Sequence, residues 1–167
     1  MEIAGIHFDN PLLLASGVAD ETGMSMAMAV KNGAGGVVTK SLSLDARDGH
    51  PNPCVVDLPY GMLNAMGLPN PGIRDYMKEI RTYLTRTENR PPIIASIFGS
   101  TIEEYGEAAS ILSDSGVHAI EINGSCPNAS GLGLQFGQDP DVIRDLVSHL
   151  KSKTPLPVFF KLTPNTD

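Results

Sequence analysis

The chain contains only two cysteines, Cys54 and Cys126, among 167 residues. Two thiols are too few for the disulfide framework of a small secreted protein, and they do not form the closely spaced pairs of a structural zinc site. The first ten residues, MEIAGIHFDN, lack the basic start and the apolar run of a secretion signal. We therefore expect a protein of the reducing cytoplasm.

Long apolar runs and positive charge are also scarce. No stretch approaches the roughly 18 consecutive apolar residues of a membrane span. Lys and Arg together number 12 against 19 Asp and Glu, which gives a formal net charge of −7 and a pI near 5.0. Because nucleic acids and acidic membranes attract concentrated basic surfaces, neither is an expected partner. A hydrophobic content of 41% fits one soluble globular domain.

Short apolar runs alternate with helical patterns along the chain. Runs rich in Val, Ile, Leu or Phe predict buried strands at 12–16, 36–40, 93–98, 118–122 and 157–162. Amphipathic patterns with capping residues predict helices at 22–33, 71–84, 101–116 and 139–153. In the first helix we expect Met24 and Met28 to face inward. The alternation predicts an α/β fold with a parallel sheet.

Two architectures fit this alternation: a doubly wound sheet and a (β/α)₈ TIM barrel. A complete barrel needs roughly 200–250 residues. As a barrel, residues 1–167 would form the N-terminal portion of a single domain, with about the first five strands and four helices and with exposed parallel edges. The stretch 42–70 is long for a βα loop, and we expect two short strands within it, folded over the sheet edge.

Reactive side chains in such folds lie where the parallel strands end. The predicted strand ends carry lysines, amides, small hydroxyls and a thiol, namely Ser16, Lys40, Ser41, Ser96, Asn123, Cys126, Asn128 and Lys161. We expect no carboxylate pair, His triad or metal cluster among them. A lysine at a strand end is most often solvent-exposed, but the apolar flanks of Lys40 and Lys161 favour burial, and a buried ammonium needs an anionic partner.

The two thiols lead to different interpretations. A lone cysteine is more often a small buried hydrophobe than a reactive group, and we interpret Cys54 in this way. Cys126 differs because Gly124 and Pro127 place it in a rigid turn directly after the fourth predicted strand.

Five motifs, taken in chain order, resemble those of the dihydroorotate dehydrogenases, which are FMN-containing (β/α)₈ barrels. These motifs are ASG at 15–17, TKS at 39–41, NAMGLPN at 64–70, NGSCPN at 123–128 and KLTPN at 161–165. The resemblance implies oxidation of dihydroorotate to orotate in pyrimidine (UMP) biosynthesis, with a proton leaving C5 and a hydride passing from C6 to FMN. It implies that Cys126 is the general base. A free thiol has a pKa of about 8.5, so modest stabilisation makes the thiolate usable near neutral pH.

The resemblance also assigns binding roles. FMN would contact Ser16, Lys40, Ser41, Asn123 and Lys161. The substrate would contact Lys40, Asn64, Ala65, Met66, Gly67, Leu68, Asn123 and Asn128. Ser96 stands where many relatives carry an Asn that contacts FMN. No metal is implied.

Several alternatives stay open at the level of sequence. The stretch from Gly137 to Asp167 is also similar to the pyrimidine-reducing domain of dihydropyrimidine dehydrogenase, which implies uracil or thymine reduction. Lys40 suits the carboxylate of orotate, which uracil lacks, and so favours orotate. A non-catalytic barrel segment that does not retain FMN is the third alternative. The resemblance implies a homodimer, with fumarate as the electron acceptor or with an iron–sulfur/FAD subunit that passes electrons to NAD.

Overall fold

The computed structural model describes residues 1–89, 91–125 and 139–162, and the structural statements below concern these residues. Its centre is a parallel sheet whose five strands lie side by side in chain order: β3 (Leu13–Leu14), β4 (Gly36–Val38), β7 (Ile93–Ile97), β8 (Ala119–Asn123) and β9 (Val158–Lys161). This confirms the predicted α/β fold with a parallel sheet. A doubly wound sheet reverses its strand order, whereas the described strands follow one another without reversal. Closure into a (β/α)₈ barrel stays a prediction.

Four helices connect the strands: α1 (Gly23–Lys31), α2 (Ile73–Arg86), α3 (Ile102–Ser113) and α4 (Pro140–Lys153). Their starts follow from side-chain caps. The Thr22 hydroxyl accepts a hydrogen bond from the amide of Ser25 at 3.1 Å, and Thr101 does the same for Glu104 at 3.2 Å. Asp139 caps α4 just before Pro140. Each helix lies within its predicted range or extends a predicted end by two residues.

The helices cover one face of the sheet. Strand side chains such as Val37, Ile93 and Ile120 pack there against Tyr76 and Tyr105 of the helices. Burial of one large apolar side chain contributes about 1.5–3 kcal/mol, so each such contact in this layer stabilises the fold.

The opposite face of the sheet changes character along the strands. Near the amino ends it carries a smaller apolar cluster that includes Val38, Ile94 and Ala119. Because side chains alternate between faces, the residues two positions further on share this face, and they are polar: Lys40, Ser96 and Glu121. The candidate site therefore begins where this apolar cluster ends.

The prediction for the inner face of α1 was wrong. Met24 and Met28 are 52% and 55% exposed, whereas Met26 is fully buried. The phase of the helix is set by close packing on α2, since a Cβ on Gly23 would lie 2.3 Å from the carbonyl oxygen of Glu79. Gly23 and Met26 therefore face the core, and the two flanking methionines face outward.

Two hairpins complete the described part of the fold. The predicted pair of short strands within 42–70 is confirmed as β5 (Val55–Leu58) and β6 (Gly61–Asn64), which are antiparallel and exposed at every residue. A second antiparallel pair, β1 (Glu2–Ile3) and β2 (Ile6–His7), was not predicted. Within residues 1–89, 91–125 and 139–162, none of the helices combines the length and the apolar character needed to cross a bilayer.

Candidate active site

A cavity of about 290 Å³ lies where β3, β4, β8 and β9 end. It gathers nearly all of the described residues that the sequence assigned to binding: Ser16, Lys40, Ser41, Asn64, Met66, Gly67, Leu68, Asn123 and Lys161. The volume lies just below the range for small-molecule sites, roughly 300–1,000 Å³.

Three assigned residues are not among those that line this cavity. Ala65 is exposed, and its amide donates to the carbonyl oxygen of Cys54 at 2.8 Å, which turns it into the hairpin rather than the cavity. Cys126 and Asn128 lie outside the described residues, so their positions and roles stay predictions. Cys54, which we interpreted as a small buried hydrophobe, is only half-buried, and its thiol lies 3.2 Å from Oδ1 of Asn52.

The first cation of the cavity, Lys40, is buried and paired. Its side chain is 10% exposed, and its Nζ forms a salt bridge with Glu21, whose side chain is 68% exposed. The expectation that a buried ammonium has an anionic partner is thereby confirmed for Lys40. Sequence reasoning missed Glu21, because it lies in the loop after β3 and belongs to no motif.

The second cation, Lys161, has the reverse arrangement. Its side chain is 38% exposed, and its Nζ lies 3.6 Å from Oε1 of Glu121, which is only 14% exposed. Sequence reasoning also missed Glu121, although a usable signal existed. Glu121 stands two residues before Asn123 in β8, and strand alternation puts both on the same face.

A chain of hydroxyl groups connects the cavity to Glu121. Oγ of Ser16 lies 3.1 Å from Oγ of Ser41, which lies 2.9 Å from Oγ of Ser96. Ser96 donates to Oε1 of Glu121 at 2.8 Å, and Nδ2 of Asn123 donates to Ser41 at 2.9 Å. Ser96 is fully buried behind Ser41. The sequence grouped Ser96 with the converging residues, and the structure places it behind them.

Asp20 fixes the turn that carries Ser16. It is 1% exposed, and its Oδ2 accepts a hydrogen bond from the amide of Gly17 at 2.5 Å. Gly17 has a φ of +91°, which favours glycine. Burial raises the pKa of Asp20 above its ordinary value of 3.8, although the Gly17 hydrogen bond and the charge of Lys40 oppose this shift. The hydroxyl of Tyr76 donates to the Asp20 carbonyl oxygen and holds the turn against α2.

Asn70 holds the loop on the other side of the cavity. Its Oδ1 accepts hydrogen bonds from the amides of Ser43 at 3.2 Å and Gly72 at 3.0 Å, while its Nδ2 donates to the Leu68 carbonyl oxygen at 3.1 Å. Gly67 has a φ of +76° in this loop. Asn70 is buried. Sequence reasoning quoted it within a motif but gave it no role, which the structure shows to be the support of the 64–69 segment.

Taken together, the cavity offers two ammonium groups, hydroxyls and amides at the carboxyl edge of a parallel sheet. Such a set can bind a polar ligand through hydrogen bonds and stabilise negative charge that develops on it. Because Lys40 is largely shielded from water, its charge acts more strongly than an exposed one. The fold and the cavity thus define an α/β protein with a polar ligand site at the carboxyl edge of its parallel sheet.

Comparison with known proteins identifies the family. A family model for dihydroorotate dehydrogenases matches residues 1–167. The chain belongs to the dihydroorotate dehydrogenase family, which is flavin dependent.

Relatives of known name agree with this match. The chain is 48% identical over 166 residues to a protein of Pyrococcus furiosus, covering 99% of this chain and 54% of the relative. It is 47% identical over 166 residues to one of Methanocaldococcus jannaschii, with 98% and 53% covered. It is 44% identical over 163 residues to one of Thermoplasma volcanium, with the same coverage of 98% and 53%. All three are named dihydroorotate dehydrogenase B (NAD(+)), catalytic subunit. The chain spans about half the length of these relatives.

Proposed function

We propose that the protein takes part in the oxidation of dihydroorotate to orotate in pyrimidine biosynthesis, with FMN as hydride acceptor and Cys126 as general base. Residues 1–167 would form the N-terminal portion of one (β/α)₈ barrel. The observation that supports this most strongly is the cavity itself. It brings together Ser16, Lys40, Ser41, Asn123 and Lys161, which come from four strand ends and to which the resemblance assigns FMN binding.

The donor set of the cavity fits a flavin. Ammonium, hydroxyl and amide groups complement the ring oxygens and nitrogens of such a cofactor, and Ser16, Lys40, Ser41, Asn123 and Lys161 would hold it. When bound, FMN supplies an acceptor for the hydride. The two ammonium groups stabilise negative charge that develops beside them, Lys40 more strongly because of its burial.

The substrate would lie against the 64–68 segment. Lys40 pairs with its carboxylate, and the amides of Asn64, Asn123 and Asn128 bind the polar edges of the pyrimidine ring. Asn70 holds the 64–69 loop in place before the ligand arrives, which lowers the entropic cost of binding. The thiolate of Cys126 accepts the proton from C5.

The names of the relatives support a partner for this chain. They describe catalytic subunits of an NAD⁺-linked enzyme. We propose that this protein likewise works in the cytoplasm as a homodimer, joined by an iron–sulfur/FAD subunit that passes electrons to NAD⁺. Copurification of an iron-containing subunit supports this arrangement, and fumarate-driven turnover by the lone protein argues against it.

The proposed reaction is tested on the purified protein, at the length at which the cell makes it. Under anaerobic conditions we expect dihydroorotate to bleach the bound flavin, and dihydrouracil to do so much more slowly. Faster bleaching by dihydrouracil would favour the pyrimidine-reducing alternative. A colourless protein that gains no activity when FMN is added would favour the third alternative, a non-catalytic barrel segment.

The proposed base has its own variant and control. We expect Cys126→Ser to slow flavin bleaching at neutral pH by roughly 10²–10⁴-fold, because a serine hydroxyl is much harder to deprotonate. The deficit should shrink as pH rises. Cys54→Ser serves as the control and should leave the rate unchanged, since Cys54 is not among the residues that line the cavity. Bleaching at the wild-type rate by Cys126→Ser at neutral pH would exclude a thiolate base.

A further inference from the structure

In the hydroxyl chain behind the cavity, the donors and acceptors available determine the direction in which each serine hydroxyl proton points. The chain runs from Ser16 through Ser41 and Ser96 to Glu121, with oxygen separations of 3.1, 2.9 and 2.8 Å. A serine hydroxyl has one proton to donate and two lone pairs that accept. Each proton can therefore serve only one neighbour.

The amide of Asn123 fixes one lone pair of Ser41. Oδ1 of Asn123 lies 3.3 Å from the backbone nitrogen of Ser125, which can only donate, so this atom must be the oxygen. The other side-chain atom is then the NH₂ group, and it donates to Oγ of Ser41 at 2.9 Å. Ser41 is thus an acceptor toward Asn123, and its own proton goes to Ser96 or to Ser16.

Glu121 decides between these two directions. Glu121 forms an ion pair with Lys161, and a carboxylate in such a pair only accepts, so the proton of Ser96 must point to its Oε1. Ser96 then has no proton for Ser41, and Ser41 must donate to Ser96. Ser16 consequently donates to Ser41, whose two lone pairs are now filled by Asn123 and Ser16. The lone pairs of Ser16 are left for the cavity that Ser16 lines.

We propose that Glu121 is a positioning residue that orients this hydroxyl chain, so that Ser16 presents a hydrogen-bond acceptor, and not a donor, to the ligand. The ligand group that faces Ser16 is therefore an N–H or O–H group. Glu121 achieves this through Ser96 and Ser41 and is not itself among the lining residues. Its Oε1 also holds Lys161 near the cavity, at 3.6 Å. The direction of the chain stands on the hydrogen bonds alone, while its effect on FMN rests on the proposed function.

Neutron diffraction from crystals of the deuterated protein tests the direction without any ligand, because it locates hydroxyl deuterium atoms. We expect deuterium on Ser96 toward Glu121, on Ser41 toward Ser96 and on Ser16 toward Ser41. Deuterium on Ser41 that points to Ser16 would overturn the inference. This result does not depend on whether the protein binds flavin.

Titration of the FMN-free protein with FMN, followed by flavin fluorescence, tests the consequence. Ser96→Ala removes the acceptor of the Ser41 proton, which then turns to Ser16 and frees the Ser16 proton toward the ligand. We expect FMN affinity to fall about three- to tenfold, the value of one hydrogen bond. Ser113→Ala is the matched control, because it removes a serine hydroxyl that bonds to Ala109 and Thr154, away from the cavity.

Two substitutions at position 121 separate charge from hydrogen bonding. Glu121→Gln and Glu121→Leu remove the same charge from Lys161, but only the amide keeps an oxygen that can accept from Ser96. We expect the leucine variant to bind FMN about three- to tenfold more weakly than the glutamine variant. Circular dichroism and thermal unfolding establish that the variants are folded. If the leucine variant does not fold, the Ser96→Ala titration and the neutron map decide.

The outcomes separate the two proposals. Wild-type FMN affinity in Ser96→Ala would show that the orientation of the chain has no effect at the ligand and would overturn the inference. A wild-type protein that binds no FMN would count against the proposed function instead, and the neutron map alone would then decide the direction of the chain.

Discussion

The two lysines of the cavity are alike in chemistry and opposite in burial. Lys40 is 10% exposed and pairs with a carboxylate that is 68% exposed, whereas Lys161 is 38% exposed and pairs with a carboxylate that is 14% exposed. In each pair one charge is held inside the protein and the other reaches toward water. The cavity thus combines one strongly shielded cation with one that remains hydrated.

This difference separates two effects that are often merged. A buried charge that loses its partner is left uncompensated, whereas an exposed charge returns to water at little cost. In each pair, replacement of the exposed partner should therefore lower the free energy of unfolding of the protein more than replacement of the buried partner. The effect of each lysine on a bound ligand should instead depend on how well that lysine is shielded from water, because a charge acts more strongly where water is excluded.

The largest expected effect is on the proposed reaction. We expect Lys40→Met to slow flavin reduction by dihydroorotate by roughly 10²–10³-fold, in line with the loss of one shielded electrostatic contact. Lys161→Met should slow the same reduction about tenfold. Rapid-mixing kinetics measures both, with Lys31→Met on the exposed surface of α1 as control. A larger loss in Lys161→Met would contradict the proposed role of burial.

The next effect is on stability at the first pair. Glu21→Gln removes the salt-bridge partner of the buried Lys40 ammonium and leaves only the Asp20 carboxyl near it, and we expect the free energy of unfolding to fall by about 1–3 kcal/mol. Lys40→Met leaves Glu21 exposed to water and should cost less than about 1 kcal/mol. Urea denaturation of both variants gives the comparison. The reverse order would show that the salt bridge is not what compensates Lys40.

At the second pair the same reasoning predicts a smaller difference. Lys161→Met leaves Glu121 with the Ser96 hydroxyl as a remaining donor, so the expected loss is about 1 kcal/mol. Glu121→Gln leaves Lys161 partly hydrated and should cost less, about 0.5 kcal/mol. Denaturation under the same conditions tests this order. Equal losses in the two variants would mean that Ser96 alone satisfies Glu121.

The smallest expected effect is a change in the stability of the protein with pH. Because burial raises the pKa of Asp20 above 3.8, the folded state binds more protons than the unfolded state between the ordinary pKa and the raised one. The contribution of Asp20 to stability therefore decreases as pH rises through this window. Asp20→Asn keeps an oxygen for the Gly17 amide and removes this change with pH. We expect the stability of the wild type, relative to Asp20→Asn, to fall as pH rises from about 4; a rise would contradict this.

The sequence predicted what local patterns and strand ends encode. Apolar runs and caps located the five sheet strands and four helices, and the strand-end rule found Lys40, Asn123 and Lys161. Prediction from the sequence failed where packing between distant segments determines the structure. The phase of α1 depends on Gly23 against α2, so the inward methionines were assigned wrongly.

The partners of the cavity lysines were missed for a related reason. Glu21 reaches Lys40 across 19 positions of sequence, and Glu121 lies near Lys161 only because β8 pairs with β9. Neither pairing can be read from the local sequence, although strand alternation alone would have placed Glu121 on the same face as Asn123. The two-residue strands β1 and β2 are too short to show an alternating pattern at all. Cys126 remains assigned by its motif.

The central claim, that this cavity holds the flavin, is tested most directly by chemical labelling of lysines with and without FMN, read by mass spectrometry. Lys161 is the reporter, since its side chain is 38% exposed and lines the cavity. Lys151 and Lys153 at the end of α4 are internal controls, because they are exposed and not among the residues that line the cavity. We expect FMN to protect Lys161 several-fold and to leave both controls unchanged. Equal labelling of Lys161 in the presence and absence of bound FMN would contradict the assignment of the flavin to this cavity.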